Sequence, residues 1–108
     1  MYSSSDFEEI KEIVISAVPS VESIFLFGSY ARGTAREQSD IDVAILLTRD
    51  LEWRERNSVL NRLYGAAAKK GYNVDFLLKG ADKFREDSLL PTMSRVIQRE
   101  GRLLWTKS

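Results

Sequence analysis

The sequence contains no cysteine and no histidine. Without thiols there is no disulfide framework, no thiolate nucleophile and no zinc ribbon. Without imidazole there is no Ser-His-Asp triad, no histidine general base and no nitrogen ligand for a metal. Any bound metal rests on oxygen donors, which favours hard cations such as Mg²⁺ or Mn²⁺. Net charge is missing too, because 16 Lys and Arg balance 16 Asp and Glu. That argues against a global electrostatic grip on nucleic acid and leaves only local basic patches open. No apolar run approaches the roughly 20 residues that cross a bilayer as a helix. The opening MYSSSDFEEIKE is polar and acidic, unlike a secretory signal. Cytoplasmic residence fits these absences.

What is present is a normal globular balance of 44% apolar and 30% charged residues over 108 positions. This length predicts a single domain, 1–108, with one core. Ser5 and Glu8 have capping-box spacing. Apolar residues from Phe7 to Val18 then recur at helical period until Pro19. VESIFLF, 21–27, reads as a buried strand that Gly28 ends, and SYARG as one short helical turn. DIDVAILLT, 40–48, is apolar on both faces beyond its first residues, which predicts a central strand. Asp50 is the expected N-cap of a helix running to about Lys70. Val59, Leu60, Leu63, Tyr64 and Ala67 form its inner face, Lys69 and Lys70 make a solvated end, and Gly71 closes it.

YNVDFLLK, 72–79, predicts a third strand, and Asp82 caps a further turn. Pro91 is expected in the first turn of a last helix that carries Met93, Val96 and Ile97 and closes at Gly101. RLLW, 102–105, adds a short edge strand. The expected class is α/β (α+β): a mixed three- to four-stranded sheet with helices mainly on one face.

Three carboxylates stand out. In a strand, residues i and i+2 share a face, so Asp40 and Asp42 project together where the second strand begins. Two such charges repel by about 4 kcal/mol at 4 Å and an effective dielectric near 20. A divalent cation or a neighbouring arginine would relieve them. Asp75 interrupts the apolar run VDFLL, where a lone buried carboxylate is costly. If its strand lies beside that of Asp40, three oxygen donors can meet at one sheet edge and hold one or two ions together with substrate phosphates. Taken alone, a D-x-D pair is more often a solvated loop or a helix cap, and Asp75 is as readily a strand-end charge paired with Arg32 or Arg36.

The glycine turn changes that balance. Gly28 ends a strand and Ser29 opens a helical turn, whose free amides attract phosphate. The Ser29 hydroxyl adds a donor, and Arg32 and Arg36 add charge. GSYARGT has the glycine spacing of a P-loop, but Thr34 stands where that motif needs lysine, and no lysine occurs between Lys11 and Lys69.

Gly28-Ser29 followed by Asp40-x-Asp42, with Asp75 on a later strand, resembles the nucleotidyltransferase superfamily of DNA polymerase β. SYARG followed by SDID is similar in wording to its minimal nucleotidyltransferase (MNT) members. The resemblance runs over nearly the whole chain. It implies a nucleotidyltransferase fold and an enzyme that transfers a nucleoside monophosphate from an NTP, ATP above all, to an acceptor. It further implies Asp40 and Asp42 as Mg²⁺ or Mn²⁺ ligands and Asp75 as third ligand or base. Gly28, Ser29 and Arg32 then serve as nucleotide-binding residues. Such chemistry rests on positioning and charge neutralisation, and so needs neither of the two missing residue types.

With the catalytic core occupying the chain, the acceptor surface is expected from another chain. The family implies a helical HEPN protein, as in MNT/HEPN toxin-antitoxin pairs where AMP is attached to a toxin tyrosine. Two other readings stay open. One is a non-catalytic module that neutralises its partner by contact, with Trp53, Trp105, Phe84 and Tyr2 as candidate anchors. The other is a homodimeric nucleotidyltransferase acting on a small molecule or RNA, with neutral charge disfavouring RNA.

Overall fold

The computed structural model describes residues 1–107. Helix α1 (Ser4–Ala17) leads into strand β1 (Val21–Phe27), the short helix α2 (Gly28–Arg32) and strand β2 (Ile41–Leu47). Helix α3 (Trp53–Lys69), strand β3 (Val74–Gly80), helices α4 (Ala81–Asp87) and α5 (Met93–Glu100), and strand β4 (Arg102–Thr106) complete the order. The strands form one sheet in the order β3-β2-β1-β4. β1 pairs antiparallel with both β2 and β4, whereas β2 and β3 run parallel. A parallel pair needs a crossover, which α3 supplies. Among the described residues, no helix is long and apolar enough to cross a membrane.

β2, apolar on both faces beyond Asp42, is central, as its composition requires. Its odd-numbered residues face α1 and α3 in a core that includes Ile10, Val14, Ile24, Ile45, Leu63 and Leu78. Its even-numbered residues Ala44 and Leu46 meet Phe84 of α4 and Ile97 of α5 in a smaller cluster on the other face. The two long helices thus share one face, and the two short ones partly cover the second.

Several local expectations shift. The capping box of α1 is Ser3 and Asp6, not Ser5 and Glu8: the Ser3 amide donates to the Asp6 carboxylate at 2.7 Å. Aspartate serves here as well as glutamate because a single turn separates the partners. The N-cap of α3 is Glu52 rather than Asp50. The Asp50 carboxylate lies against Gly80, so close that a Cβ there would meet it at 2.1 Å. Gly71 does close α3, at φ +79°, with the Tyr72 amide donating to the Ala67 carbonyl at 2.9 Å. Tyr64, expected on the inner face of α3, is 41% exposed, and its hydroxyl accepts from the Phe76 amide at 3.0 Å. β3 begins at Val74, two residues later than expected. Pro91 precedes α5, whose N-cap is Thr92. Of the three apolar residues it carries only Ile97 is buried, while Met93 and Val96 face outward. Asp82 lies inside the first turn of α4, behind the N-cap Gly80.

Candidate active site

The antiparallel pairing of β1 and β2 brings the end of one strand beside the start of the other, with Phe27 opposite Asp42. Gly28, the next residue, opens α2 at φ +70°, a region that strongly favours glycine. Its missing side chain matters a second time, because a Cβ at this position would sit 2.2 Å from Oδ2 of Asp42. The turn and the carboxylate therefore occupy adjoining space that only glycine leaves free. Gly33, at φ +76°, ends α2 one turn later, its amide donating to the Ser29 carbonyl.

Parallel pairing of β2 and β3 sets Asp42 directly beside Asp75, on strands about 4.8 Å apart. Both follow the alternation of Ala44, Leu46 and Leu77, and so lie on the α4/α5 face, at the end those helices leave uncovered. Asp75 is exposed at the second position of its strand, not buried in the strand's middle, so its charge stays solvated. Asp40 lies just before β2. One of its oxygens accepts from the side-chain amide of Asn73, and the backbone carbonyl of Asn73 accepts from the Ile41 amide at 2.9 Å. Asn73 thus ties Asp40 to the start of β3. Its backbone amide donates in turn to the Tyr2 hydroxyl at 3.1 Å. Sequence reasoning missed Asn73, and no motif marks a lone asparagine before a strand.

Electrostatics single out Asp42. Partial burial pushes its pKa up, and the charges of Asp75 and Asp40 push it further, while only Arg32 pulls it down. Arg32 faces this rim from α2 and also pairs with Glu100 of α5 at 3.7 Å. Arg36 sits on the exposed loop, where its backbone amide donates to the Ser39 hydroxyl at 2.8 Å. The donors here are carboxylate oxygens, the set that hard divalent cations prefer, and positive charge at this point would relieve Asp42. As placed, no three acidic side chains among the described residues converge into a ligand cage. The fold assembles Asp40, Asp42 and Asp75 at one rim and leaves them splayed.

A wide groove lies elsewhere. It measures about 680 Å³ and runs between α1 and α3 on the opposite face, over Ile13, Ala17, Gly65 and Ala66. Its floor is apolar, its rim carries Glu9, Glu12, Arg62, Lys69 and Lys70, and Lys70 pairs with Glu9 at 3.4 Å. Of the four candidate anchors, Phe84 is buried, Tyr2 and Trp105 pack against the core, and Trp53 alone is largely exposed, at 69%.

A glycine turn opposed to in-strand carboxylates on a mixed sheet defines a nucleotide-handling α/β protein. The chain belongs to the family described as Polymerase beta, Nucleotidyltransferase, whose profile matches residues 8–108. The resemblance to minimal nucleotidyltransferases is likewise borne out. The chain is 34% identical over 58 residues to the protein adenylyltransferase MntA of Shewanella oneidensis, a match covering 54% of this chain and 42% of that one. The matched stretch is thus less than half the length of that relative. A toxin-antitoxin crystal structure with AMP-PNP superposes at a TM-score of 0.69 and 24% identity, covering 95% of this chain and 75% of its own. A tri-AMPylated Shewanella oneidensis HEPN toxin in complex with its MNT antitoxin gives 0.59 and 22%, covering 94% and 70%. At these identities the two structures share the fold.

Proposed function

We propose that the protein is a metal-dependent nucleotidyltransferase that moves AMP from ATP to a hydroxyl of a separate helical protein of the HEPN type. It acts as the antitoxin of such a pair in the cytoplasm, and residues 1–108 work as one catalytic domain. The observation that carries this reading is the register of Asp42 with Asp75, beside a glycine whose Cβ the Asp42 carboxylate would exclude. The adenylyltransferase relative, the AMP-PNP complex and the AMPylated HEPN complex supply the nucleotide and the acceptor class.

In this reading Gly28 and Ser29 hold the triphosphate through backbone amides and a hydroxyl, and Arg32 orients it. Asp40 and Asp42 would hold Mg²⁺ or Mn²⁺, which when bound would supply Lewis-acid charge to the phosphates. Asn73 fixes the Asp40 carboxylate, and the solvated Asp75 accepts the proton of the acceptor hydroxyl. The acceptor oxygen then forms its bond to the α-phosphorus as the bond to the bridging oxygen breaks, and pyrophosphate leaves with that electron pair.

The test is incubation with α-labelled ATP, Mg²⁺ and a HEPN protein, beside the Asp40→Ala/Asp42→Ala variant. Label on the HEPN protein with the intact aspartates alone supports transfer. Neutralisation of the toxin by the variant, with no label anywhere, would show that contact alone suffices.

A further inference from the structure

The segment from Leu89 to Val96 exposes four large apolar side chains: Leu89 at 80%, Leu90 and Met93 at 59%, and Val96 at 43%. Scattered exposed apolar residues need no explanation, but a contiguous group does. α5 cannot roll to bury these residues, because its opposite side is already committed. Ile97 is fully buried against the sheet. Ser94 is buried as well, and its hydroxyl accepts from the Lys79 ammonium at 2.9 Å. Lys79 also pairs with Asp87, which fixes the end of α4. The turn between the helices is pinned by the Thr92 hydroxyl on the Asp87 carbonyl at 2.6 Å. Met93 and Val96, three residues apart on the outer side of a pinned helix, therefore stay outward.

Beside them runs a groove of about 580 Å³ that includes Pro91, Met93, Val96, Arg95 and Arg99. Its one acid, Glu100, is turned to Arg32. Asp87, at the end of α4, is held by Lys79 and Lys83. Arg95 and Arg99 thus have no acidic partner among the described residues, and the groove is apolar with a basic flank. The Glu100–Arg32 pair joins α5 directly to the turn at the nucleotide site, and both lie on the same face of the sheet as Asp42 and Asp75.

We propose that this groove is the docking surface for the acceptor protein, and that its occupant is an amphipathic helix with an apolar stripe flanked by acidic residues. This rests on the transferase reading above and adds which surface receives the partner and what chemistry that partner presents. An apolar stripe buries Met93 and Val96, and flanking carboxylates meet Arg95 and Arg99. A helix seated here lies beside the glycine turn, so an acceptor hydroxyl on the same partner is carried to the Asp75 rim.

The test uses two fluorescent helical peptides with one leucine stripe, one flanked by glutamates and the other by lysines. The glutamate peptide is expected to bind at least tenfold more tightly, with the difference shrinking at high salt. Met93→Asp/Val96→Asp is expected to lose that binding at least tenfold, and Ile13→Ser, in the α1–α3 groove, to leave it unchanged. The melting temperature of each variant guards against unfolding. Magnesium-dependent ATP binding, measured in parallel, is expected to survive Met93→Asp/Val96→Asp. Equal binding of the two peptides, or binding that survives this double variant, overturns the docking surface. A dimer in the parent chain that becomes a monomer in the double variant would assign the patch to a second copy instead. Failure of ATP binding in the parent chain would strike the transferase reading and leave the peptide result to be judged separately.

Discussion

The two faces of the sheet are covered unequally. On one, α1 and α3, of 14 and 17 residues, seal the strands along their length, and Ile10, Ile24, Ile45, Leu63 and Leu78 are almost fully buried. On the other, α4 and α5 have only 7 and 8 residues and leave the start of β2 and β3 open. There the alternation that places Ala44 and Leu46 under a helix continues outward to Asp42, and on β3 from Leu77 to Asp75. The same period-2 geometry thus builds a core at one end of a strand and a charged rim at the other. What separates them is only how far the covering helix reaches. Stability is concentrated on the sealed face, and the transfer proposed above would take place on the open one, so substitutions on the two faces should fail in different ways.

The largest expected effect falls on the open face. Asp75→Asn should lower adenylyl transfer by about 10²–10⁴-fold, the range for loss of a general acid or base. Melting temperature should hardly move, because the side chain is exposed. Single-turnover kinetics and a thermal melt on one preparation check both halves. A variant that melts much lower would mean that this rim also carries the fold.

The reverse pattern is expected at Leu63, which is fully buried. Leu63→Ala should cost about 3 kcal/mol through lost burial and a cavity, lowering Tm by about 12–24 °C for a domain of this size. Transfer per folded molecule, measured well below the new Tm, should stay within about twofold of the parent.

Gly28→Ala sits where the two regions meet, and should fail moderately in both ways. The left-handed backbone costs about 1 kcal/mol with a Cβ, and the Asp42 carboxylate must move from a position 2.2 Å away. The expected result is about tenfold weaker ATP binding by calorimetry, together with a Tm lower by about 5–10 °C.

Much of this division could be read from residue order, for reasons visible at particular positions. β1 was legible because VESIFLF is bounded by Pro19-Ser20 and Gly28, and α3 because Val59, Leu63 and Ala67 keep helical spacing up to Gly71. The helix starts were less legible. Asp50 has the chemistry of an N-cap, yet is used against Gly80, a contact that only the packed β2–α3–β3 unit creates. Met93, Val96 and Ile97 look like one apolar face, but an 8-residue helix pinned at Ser94 and Ile97 buries just one of them. At the site, Asp40 and Asp42 were marked by their spacing and by the family resemblance. The pairing of Asp42 with Asp75 is a register, and register depends on which strands become neighbours. Asn73 left no trace because its role depends wholly on that register.

The smallest expected effect has the opposite sign, and it tests whether the rim is held at a cost to the fold. The pKa of Asp42 is raised, first by burial and then by Asp75 and Asp40. A raised carboxyl pKa means that the folded protein binds this proton more tightly than the unfolded chain does. That contribution is complete below the ordinary carboxylate range and is lost as pH rises through the raised value, so ionised Asp42 opposes folding at neutral pH. Asp42→Asn removes the ionisation and much of the repulsion on its neighbours. In metal-free buffer it should raise Tm by about 1–3 °C at pH 7 and leave it unchanged near pH 3, where the carboxyl is protonated in both states. Added Mg²⁺ should narrow the gap at pH 7 by stabilising the parent alone. A variant that melts lower than the parent at pH 7 would place Asp42 among the groups that hold the fold together, and would erase the distinction between the sealed face and the open one.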